Sequence, residues 1–184
     1  MKYLMLFADN FEDVEAIATL DVLKRGGEDI TCASIMGRLN VQTKCGNILT
    51  VDSLIEDVID LKNYDCLIIP GGPGSFRIMP NVPIVTELIH TFVKNDKVVA
   101  SICAAPHLVG KLGYFKDRLY TVHPGFEGEI IGGTYLRDKG VVVDGKFITA
   151  KSMYYSIEFG LAIYEFFHGY EKKEALRKAC QGEK

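Results

Sequence analysis

Short apolar runs recur along the chain and alternate with segments of helical periodicity. The runs at residues 3–8, 66–69 and 98–102 are apolar at nearly every position, and the run at residues 30–36 is rich in β-branched and small side chains. Uninterrupted apolar runs are typical of strands that are buried on both faces of a parallel sheet. The pattern therefore predicts these four segments as strands of a mostly parallel sheet.

Six of the segments between and after these runs are predicted to be helices. Acidic residues open the first of them, and Gly26-Gly27 ends it. Strands that alternate with helices favour a doubly wound α/β sheet covered on both faces. We expect one domain over residues 1–184, with a polar terminal helix and tail at residues 170–184. The predicted helices span residues 12–25, 52–61, 83–94, 104–112, 156–167 and 171–179.

Two hairpins and one further strand complete the prediction. Residues 39–51 alternate loosely around a Cys45-Gly46-Asn47 turn. Strands at residues 141–143 and 147–149 flank Asp144-Gly145, which is a strong hairpin signal. A short strand at residues 119–122 leads into His123-Pro124-Gly125.

The charge balance and the cysteine count exclude several classes of protein. The 184 residues carry a formal net charge of -3, so binding to nucleic acid has no electrostatic support. No apolar stretch is long enough to cross a bilayer, and acidic residues follow the short apolar start, unlike in a signal peptide. We therefore expect a cytoplasmic protein without a membrane partner. Five cysteines at irregular spacing argue against a disulfide framework and against a structural zinc site.

The main candidate for chemistry is Cys103, at the junction between a predicted strand and a predicted helix. Ligands of doubly wound sheets gather at the carboxyl ends of the strands. Two small residues, Ala104 and Ala105, follow the cysteine, as a tight turn that projects a nucleophile requires. The start of a helix favours thiolate over thiol. The alternative is a buried cysteine that ends a strand.

The loop Pro70-Gly71-Gly72-Pro73-Gly74 follows the strand at residues 66–69. Its backbone N–H groups could face a developing oxyanion. The loop could instead hold a phosphate, but the G-K-[ST] signature is missing, and the next predicted helix begins only at residue 83. A plain turn is the third interpretation.

Glu15 lies early in the first predicted helix, on the same face as Ala18, Thr19 and Val22. A carboxyl on that face would be partly desolvated, and its pKa would rise. Once protonated, it could donate a hydrogen bond to a sulfur or an oxygen. The alternative is that Glu15 simply suits a helix N-terminus, as acidic residues generally do.

Among the four histidines, His123 is our choice of partner for Cys103. It ends a short predicted strand at the same edge of the sheet, and activation of a cysteine by a histidine distant in sequence is common. A histidine at the end of a strand can also be purely structural. His107, one turn after Cys103, could touch the thiol or face solvent. His90 and His168 are expected at the surface.

Together these features resemble the ThiJ/DJ-one/PfpI superfamily, and in particular its ThiJ-like branch. The resemblance runs nearly end to end and depends on an ordered set of short segments at matching spacing. These are residues 11–16 (FEDVEA), 21–25 (DVLKR), 65–72 (DCLIIPGG), 102–106 (ICAAP), 121–124 (TVHP) and 156–162 (SIEFGLA).

The resemblance implies a flavodoxin-like fold, a homodimer, and a nucleophile, Cys103, that needs no metal or organic cofactor. Glu15 matches the family glutamate that, when protonated, hydrogen-bonds the cysteine sulfur. Gly72 and Ala104 match the backbone donors around that sulfur, and His123 matches the family histidine near it. The residues that would complete the pocket are Gly71, Pro124, Tyr154 and Tyr155.

The activity implied by the resemblance is that of a cysteine enzyme acting on reactive carbonyls, of the glyoxalase III or deglycase type. Its partner would be a small carbonyl compound or a glycated protein. Two alternatives remain open. One is a redox sensor or stress chaperone that works through cysteine sulfinate. The other is a cysteine hydrolase, an amidase or peptidase, with His107 or His123 in a triad.

Two departures from the pattern bear on these expectations. Residues 151–155 read Lys-Ser-Met-Tyr-Tyr, where similar proteins usually have an Arg-Gly-Pro-Gly type of loop. The bulkier side chains affect the expected size of the pocket. Cys45 stands where a relative has an arginine near the dimer contact. The resemblance therefore supports the arrangement of the Cys103 site more strongly than it supports the geometry of the dimer.

Overall fold

The apolar runs form the inner strands of a seven-stranded sheet in the computed structural model, which describes residues 1–183. In chain order, the strands are β1 (Lys2–Phe7), β2 (Asp29–Ser34), β3 (Asn40–Gln42), β4 (Ile48–Thr50), β5 (Ser53–Leu54), β6 (Cys66–Ile69), β7 (Val98–Ile102), β8 (Leu119–Tyr120), β9 (Thr134–Tyr135), β10 (Val141–Asp144) and β11 (Phe147–Ala150). The helices are α1 (Asp13–Arg25), α2 (Pro73–Arg77), α3 (Pro83–Lys94), α4 (Pro106–Gly110), α5 (Ser156–His168) and α6 (Tyr170–Cys180).

The main sheet has the strand order β10-β11-β7-β6-β1-β2-β5. Neighbouring strands are parallel except β10 and β11, which form the predicted antiparallel hairpin. Outside this sheet, β3 and β4 form a second hairpin, and β8 and β9 form a short parallel pair. This mostly parallel, doubly wound arrangement confirms the predicted flavodoxin-like α/β fold.

Side chains of the central strands alternate between two hydrophobic cores. Tyr3, Met5 and Phe7 of β1 belong to the core that α1, α5 and α6 cover, whereas Leu4 and Leu6 belong to the core under α3 and α4. All five are fully buried. Burial of one such side chain stabilises the fold by about 1.5–3 kcal/mol. The two cores explain why the strands are apolar at every position instead of at alternate ones.

The helix predicted at residues 52–61 is wrong. Residues 53–54 form the edge strand β5, and single turns of 3₁₀ helix follow at Ile55–Asp57 and Leu61–Asn63. The Asp52 side chain accepts a hydrogen bond from the backbone N–H of Cys32 in β2 at 2.8 Å. It therefore ties this segment to the sheet instead of capping a helix.

The helix predicted at residues 104–112 is shorter than expected, because it begins at Pro106 and ends at Gly110. Residues 104 and 105 complete a turn after β7, in which the Ala105 N–H donates to the carbonyl of Ile102. Within residues 1–183, we find no helix with the length and apolarity needed to cross a membrane.

Candidate active site

The strand order reverses between β1 and β6, and this reversal places the candidate site. From β1 the chain continues to β2 and β5 on one side, and then returns to β6 and β7 on the other. Parallel sheets leave a crevice at the carboxyl ends of strands where the order reverses. Glu15 follows β1, the glycine loop at residues 71–74 follows β6, and Cys103 follows β7. The structure brings these three together.

Cys103 is held in a left-handed backbone conformation with φ of 63°. For a residue with a side chain, this conformation costs about 1 kcal/mol or more. Two hydrogen bonds hold the turn. The Cys103 N–H donates to the carbonyl of Ala150 at 2.8 Å, and the Cys103 carbonyl accepts from the N–H of His123 at 2.8 Å. The side chain remains partly exposed. The strained turn therefore presents the sulfur at the end of a central strand.

The Glu15 carboxyl lies beside the sulfur and is only 1 % exposed. It is hydrogen-bonded to the Cys103 thiol, and its Oε2 accepts from the Gly71 N–H at 3.0 Å. Burial raises the pKa of Glu15 to about 7, and the nearby charge of Glu12 contributes to the rise. Both the burial and the direction of the pKa change agree with the sequence-based expectation, since Glu15 shares its helix face with buried Thr19 and Val22.

The glycine loop has no room for side chains. A Cβ on Gly71 would lie 2.5 Å from Oε2 of Glu15 and 2.6 Å from Cβ of Cys103. Gly72 has φ of 87°, and a Cβ there would collide with the backbone of residues 10–12. Contrary to expectation, a helix does begin at this loop, because α2 starts at Pro73 directly after Gly72. The two glycines allow the loop, Glu15 and Cys103 to approach closely.

The expected direction of the Cys103 pKa is reversed. Burial raises the pKa of the thiol, and the adjacent Glu15 carboxyl raises it further. The N–H groups of Ala104 and Gly72 act in the opposite sense, because they hydrogen-bond the sulfur and lower the pKa. The helix on which the expectation depended, α4, starts only at Pro106 and has five residues. Glu15 and Cys103 therefore titrate as a pair that carries at most one negative charge near neutral pH.

Two histidines lie beside this pair, and both bind backbone carbonyls. The His123 ring is exposed, and its Nδ1 lies 3.0 Å from the carbonyl oxygen of Pro124. His107 is buried, its Nδ1 lies 2.7 Å from the carbonyl oxygen of Ala104, and burial lowers its pKa. The structure thus brings the backbone of His123 to Cys103 and leaves the His123 ring accessible to solvent.

The remaining histidines are not the surface residues that the sequence suggested. His90 is half-buried, with Nδ1 2.5 Å from the hydroxyl of Tyr114. His168 is half-buried, with Nε2 2.5 Å from Oε1 of the buried residue Glu28. In the described part of the chain, residues 1–183, no three His, Cys, Asp or Glu side chains form a group that could hold a metal ion.

Comparison with models of known protein families assigns the chain to a family. The model of the DJ-1/PfpI family matches residues 1–166. The chain belongs to this family. The family assignment agrees with the resemblance seen in the sequence, which covered the same segments.

Several DJ-1/PfpI proteins show how far the similarity extends. The glutathione-independent glyoxalase DJR-1.2 of Caenorhabditis elegans is 34% identical over 178 residues, which cover 95% of this chain and 92% of that protein. A deglycase of Pyrococcus abyssi is 34% identical over 152 residues, covering 82% and 90%. The crystal structure of Drosophila melanogaster DJ-1beta superposes with a TM-score of 0.90 at 28% identity, covering 98% and 97%. The chain spans 40% of the length of a longer relative, protein DJ-1 homolog B of Arabidopsis thaliana.

The bulky segment that departs from the DJ-1/PfpI pattern lies just before α5 and includes a single 3₁₀ turn, Met153–Tyr155. Tyr154 is 83 % exposed, and its ring packs edge-on against that of Tyr155. The Tyr155 ring in turn lies against Gly140, leaving no space for a side chain there. Both rings are therefore engaged at the surface near β10, and the expectation that they form the pocket stays a prediction.

A cluster of aromatic rings beside the site was not predicted from the sequence. The ring centroid of Phe126 lies 5.1 Å from that of Phe76, 5.6 Å from that of His107 and 6.2 Å from that of His123. Phe76 belongs to α2, which was not predicted. The only signal for Phe126 was its place three residues after His123. These rings join the glycine-loop helix to the segment that carries His123.

Proposed function

We propose that this DJ-1/PfpI protein is a cofactor-free cysteine enzyme that adds water to small 2-oxoaldehydes, converting methylglyoxal to lactate. The observation that carries the proposal is the Cys103 thiol on a strained turn, hydrogen-bonded to a buried carboxyl whose pKa is raised to about 7. Relatives named glyoxalase and deglycase, each 34% identical, support this reaction class.

The first step is attack of the Cys103 sulfur on the aldehyde carbon. In the reactive form of the pair, the proton resides on Glu15 and the negative charge on sulfur. As the C–S bond forms, the carbonyl π electrons move to oxygen. The N–H groups of Gly72 and Ala104 stabilise this oxyanion, and Glu15 protonates it. The product is a hemithioacetal.

The second step moves a proton between the two adjacent carbons. The Glu15 carboxylate removes the proton from the former aldehyde carbon, and a proton returns to the former ketone carbon, with His123 as the second proton carrier. The first carbon is oxidised while the second is reduced, so no external oxidant is needed. Water then hydrolyses the resulting thioester to lactate and restores the thiol. A methylglyoxal adduct on another protein offers the same two carbons, which would give deglycase activity.

The hydrogen bonding at the sulfur favours this reaction over the hydrolase alternative. A hydrolase triad requires a histidine hydrogen-bonded to the nucleophile. The side-chain partner of the Cys103 thiol is the Glu15 carboxyl, whereas His107 and His123 bind backbone carbonyls. The arrangement suits proton transfer by a carboxyl group.

Lactate formation tests the proposal directly. Purified protein incubated with methylglyoxal, without glutathione or added metal, is expected to produce lactate in proportion to enzyme concentration. Heat-denatured protein provides the blank. Lactate no higher than in the blank would contradict the proposal. The redox-sensor alternative would then gain support if mild peroxide converted Cys103 to sulfinate before the other four cysteines, as measured by mass spectrometry.

We also propose that two copies associate through the outer face of α1. A groove of about 570 Å³ lies between α1 and the β3–β4 hairpin. Its apolar lining is unusually exposed, with Ile17 at 43% and Ile48 at 63%. Contiguous exposed apolar surface of this kind marks association sites. A second copy is the occupant that the family resemblance implies.

Replacing Ile17 with lysine tests this association. The lysine charge would have to lose its water in an apolar interface, so we expect the mass in solution to fall from twice 20.5 kDa to 20.5 kDa. Light scattering coupled to size-exclusion chromatography gives this mass. Ile59→Lys is the control, since Ile59 is also exposed but lies outside the groove. A wild-type mass of 20.5 kDa would refute the association.

We propose that the protein is cytoplasmic and that residues 1–184 form a single domain. The five cysteines are free in the structure, as suits a reducing compartment. The residues proposed for catalysis all come from one sheet edge, so no second domain is needed to complete the site.

A further inference from the structure

Glu12 is a second buried carboxyl at the site, and the reaction proposed above does not use it. It is 8 % exposed and immediately precedes α1. Its Oε2 accepts a hydrogen bond from the backbone N–H of Glu15 at 2.9 Å. Glu12 therefore caps the helix that carries the catalytic carboxyl.

The backbone of Glu12 also binds the glycine loop. Its N–H donates to the carbonyl of Gly71 at 3.1 Å, and the backbone of Gly72 packs directly against the Glu12 nitrogen. Gly71 in turn donates to the Glu15 carboxylate. One residue thus connects the helix start, the glycine loop and the Glu15 carboxyl.

A helix cap alone does not require a glutamate here. Serine, threonine, asparagine and aspartate are the usual caps, because only an acceptor oxygen is needed. Burial of a carboxylate is costly compared with burial of a neutral acceptor. A buried, negatively charged cap three residues before a second buried carboxyl adds like-charge repulsion to that cost. Besides capping the helix, the charge of Glu12 therefore acts on Glu15.

We propose that Glu12 is a positioning residue for the Glu15–Cys103 pair, with a backbone that fixes the glycine loop and a carboxylate charge that keeps a proton on the pair at neutral pH. This inference rests on the proposed function because it concerns the same Glu15–Cys103 pair. Glu12 touches neither the sulfur nor the substrate in this scheme. It acts through Glu15.

Other groups near Glu15 also affect its protonation. The Cys103 thiol hydrogen-bonds the carboxyl, and Lys44 of the β3–β4 hairpin acts in the sense opposite to Glu12. Asp13 lies next to Glu12 but points to the hairpin, where its carboxylate accepts from the Cys45 N–H and the Asn47 amide. Asp13 therefore provides a matched control of equal charge in the same helical turn.

The test is the rate of Cys103 alkylation by iodoacetamide between pH 5 and pH 9. Alkylation requires thiolate, so its midpoint reports the loss of the first proton from the pair. Glu12→Gln retains an acceptor oxygen but removes the charge. We expect its midpoint to lie lower than that of the wild type by about 1 pH unit. Asp13→Asn should leave the midpoint unchanged.

Three outcomes would overturn the inference. These are a Glu12→Gln midpoint equal to that of the wild type, a midpoint at higher pH, or an equal shift in Asp13→Asn. Melting curves of each variant show whether the fold is retained, and Glu12→Asp, which keeps the charge, should restore the wild-type midpoint. Because alkylation needs no turnover, these results stand apart from whether lactate is formed.

Discussion

Replacement of Cys103 with serine is expected to lower the rate of lactate formation from methylglyoxal by about 10³-fold or more. The serine hydroxyl fits the same turn but stays protonated at neutral pH. Neither the Gly72 and Ala104 N–H groups nor Glu15 can ionise it, because burial disfavours the charged form even of the more acidic thiol. Lactate measured with excess variant enzyme gives the residual rate.

Two controls show whether the loss of lactate formation is specific to the Cys103 sulfur. Cys180→Ser removes a thiol in α6, remote in sequence from the site, and should retain the wild-type rate. Cys103→Ser should melt at nearly the same temperature as the wild type, since the left-handed turn and its two backbone hydrogen bonds do not involve the side chain. Equal turnover by Cys103→Ser would remove the nucleophile from the mechanism and leave the family relationship without a chemical account.

Local patterns predicted those parts of the site that depend on neighbours in sequence. The buried strand β7 followed by small residues indicated the turn at Cys103, and helical periodicity indicated a buried face for Glu15. Both features follow from residues within a few positions of each other. The mostly parallel, doubly wound sheet followed from the alternation of strands with helices, although the order of the strands was not predicted.

The features that the sequence patterns failed to predict depend on contacts between residues far apart in the chain. Asp52 is hydrogen-bonded to Cys32 of β2 through both its side chain and its backbone, and β5 pairs with β2, so tertiary pairing outweighs the local helix signal. The direction of the Cys103 pKa was wrong for a similar reason. It is set by burial and by a carboxyl that lies 88 positions earlier in the chain. The tight contacts of Gly71 with Glu15 and Cys103 have no signature in the loop itself.

Glu15→Gln is expected to make the protein more stable at alkaline pH and nearly inactive. The folded-state pKa of Glu15 is raised from 4.5 to about 7. Between these values the folded state binds more protons than the unfolded chain, so its stability falls as pH rises. The loss is complete above pH 7 and amounts to about 3 kcal/mol. A neutral glutamine avoids it.

The pH dependence distinguishes this effect from a simple packing change. At pH 8.5, Glu15→Gln should exceed the wild type by about 3 kcal/mol in unfolding free energy, and at pH 4 the two should be equal. Urea unfolding at both pH values measures the difference. Glu158→Gln is the control, because Glu158 is exposed at the start of α5 and its substitution should change the unfolding free energy by much less than about 3 kcal/mol at either pH.

The same substitution removes the proton carrier that the mechanism needs. Glutamine can still accept from the Gly71 N–H and donate to the sulfur, so geometry is preserved while proton transfer is lost. We expect lactate formation to fall by about 10²-fold or more. Stability and activity would then change in opposite directions at one residue. If Glu15→Gln kept its activity, Glu15 would not be the proton carrier of the reaction. If its unfolding free energy relative to the wild type were the same at pH 8.5 and pH 4, ionisation of the buried Glu15 carboxyl would not destabilise the fold.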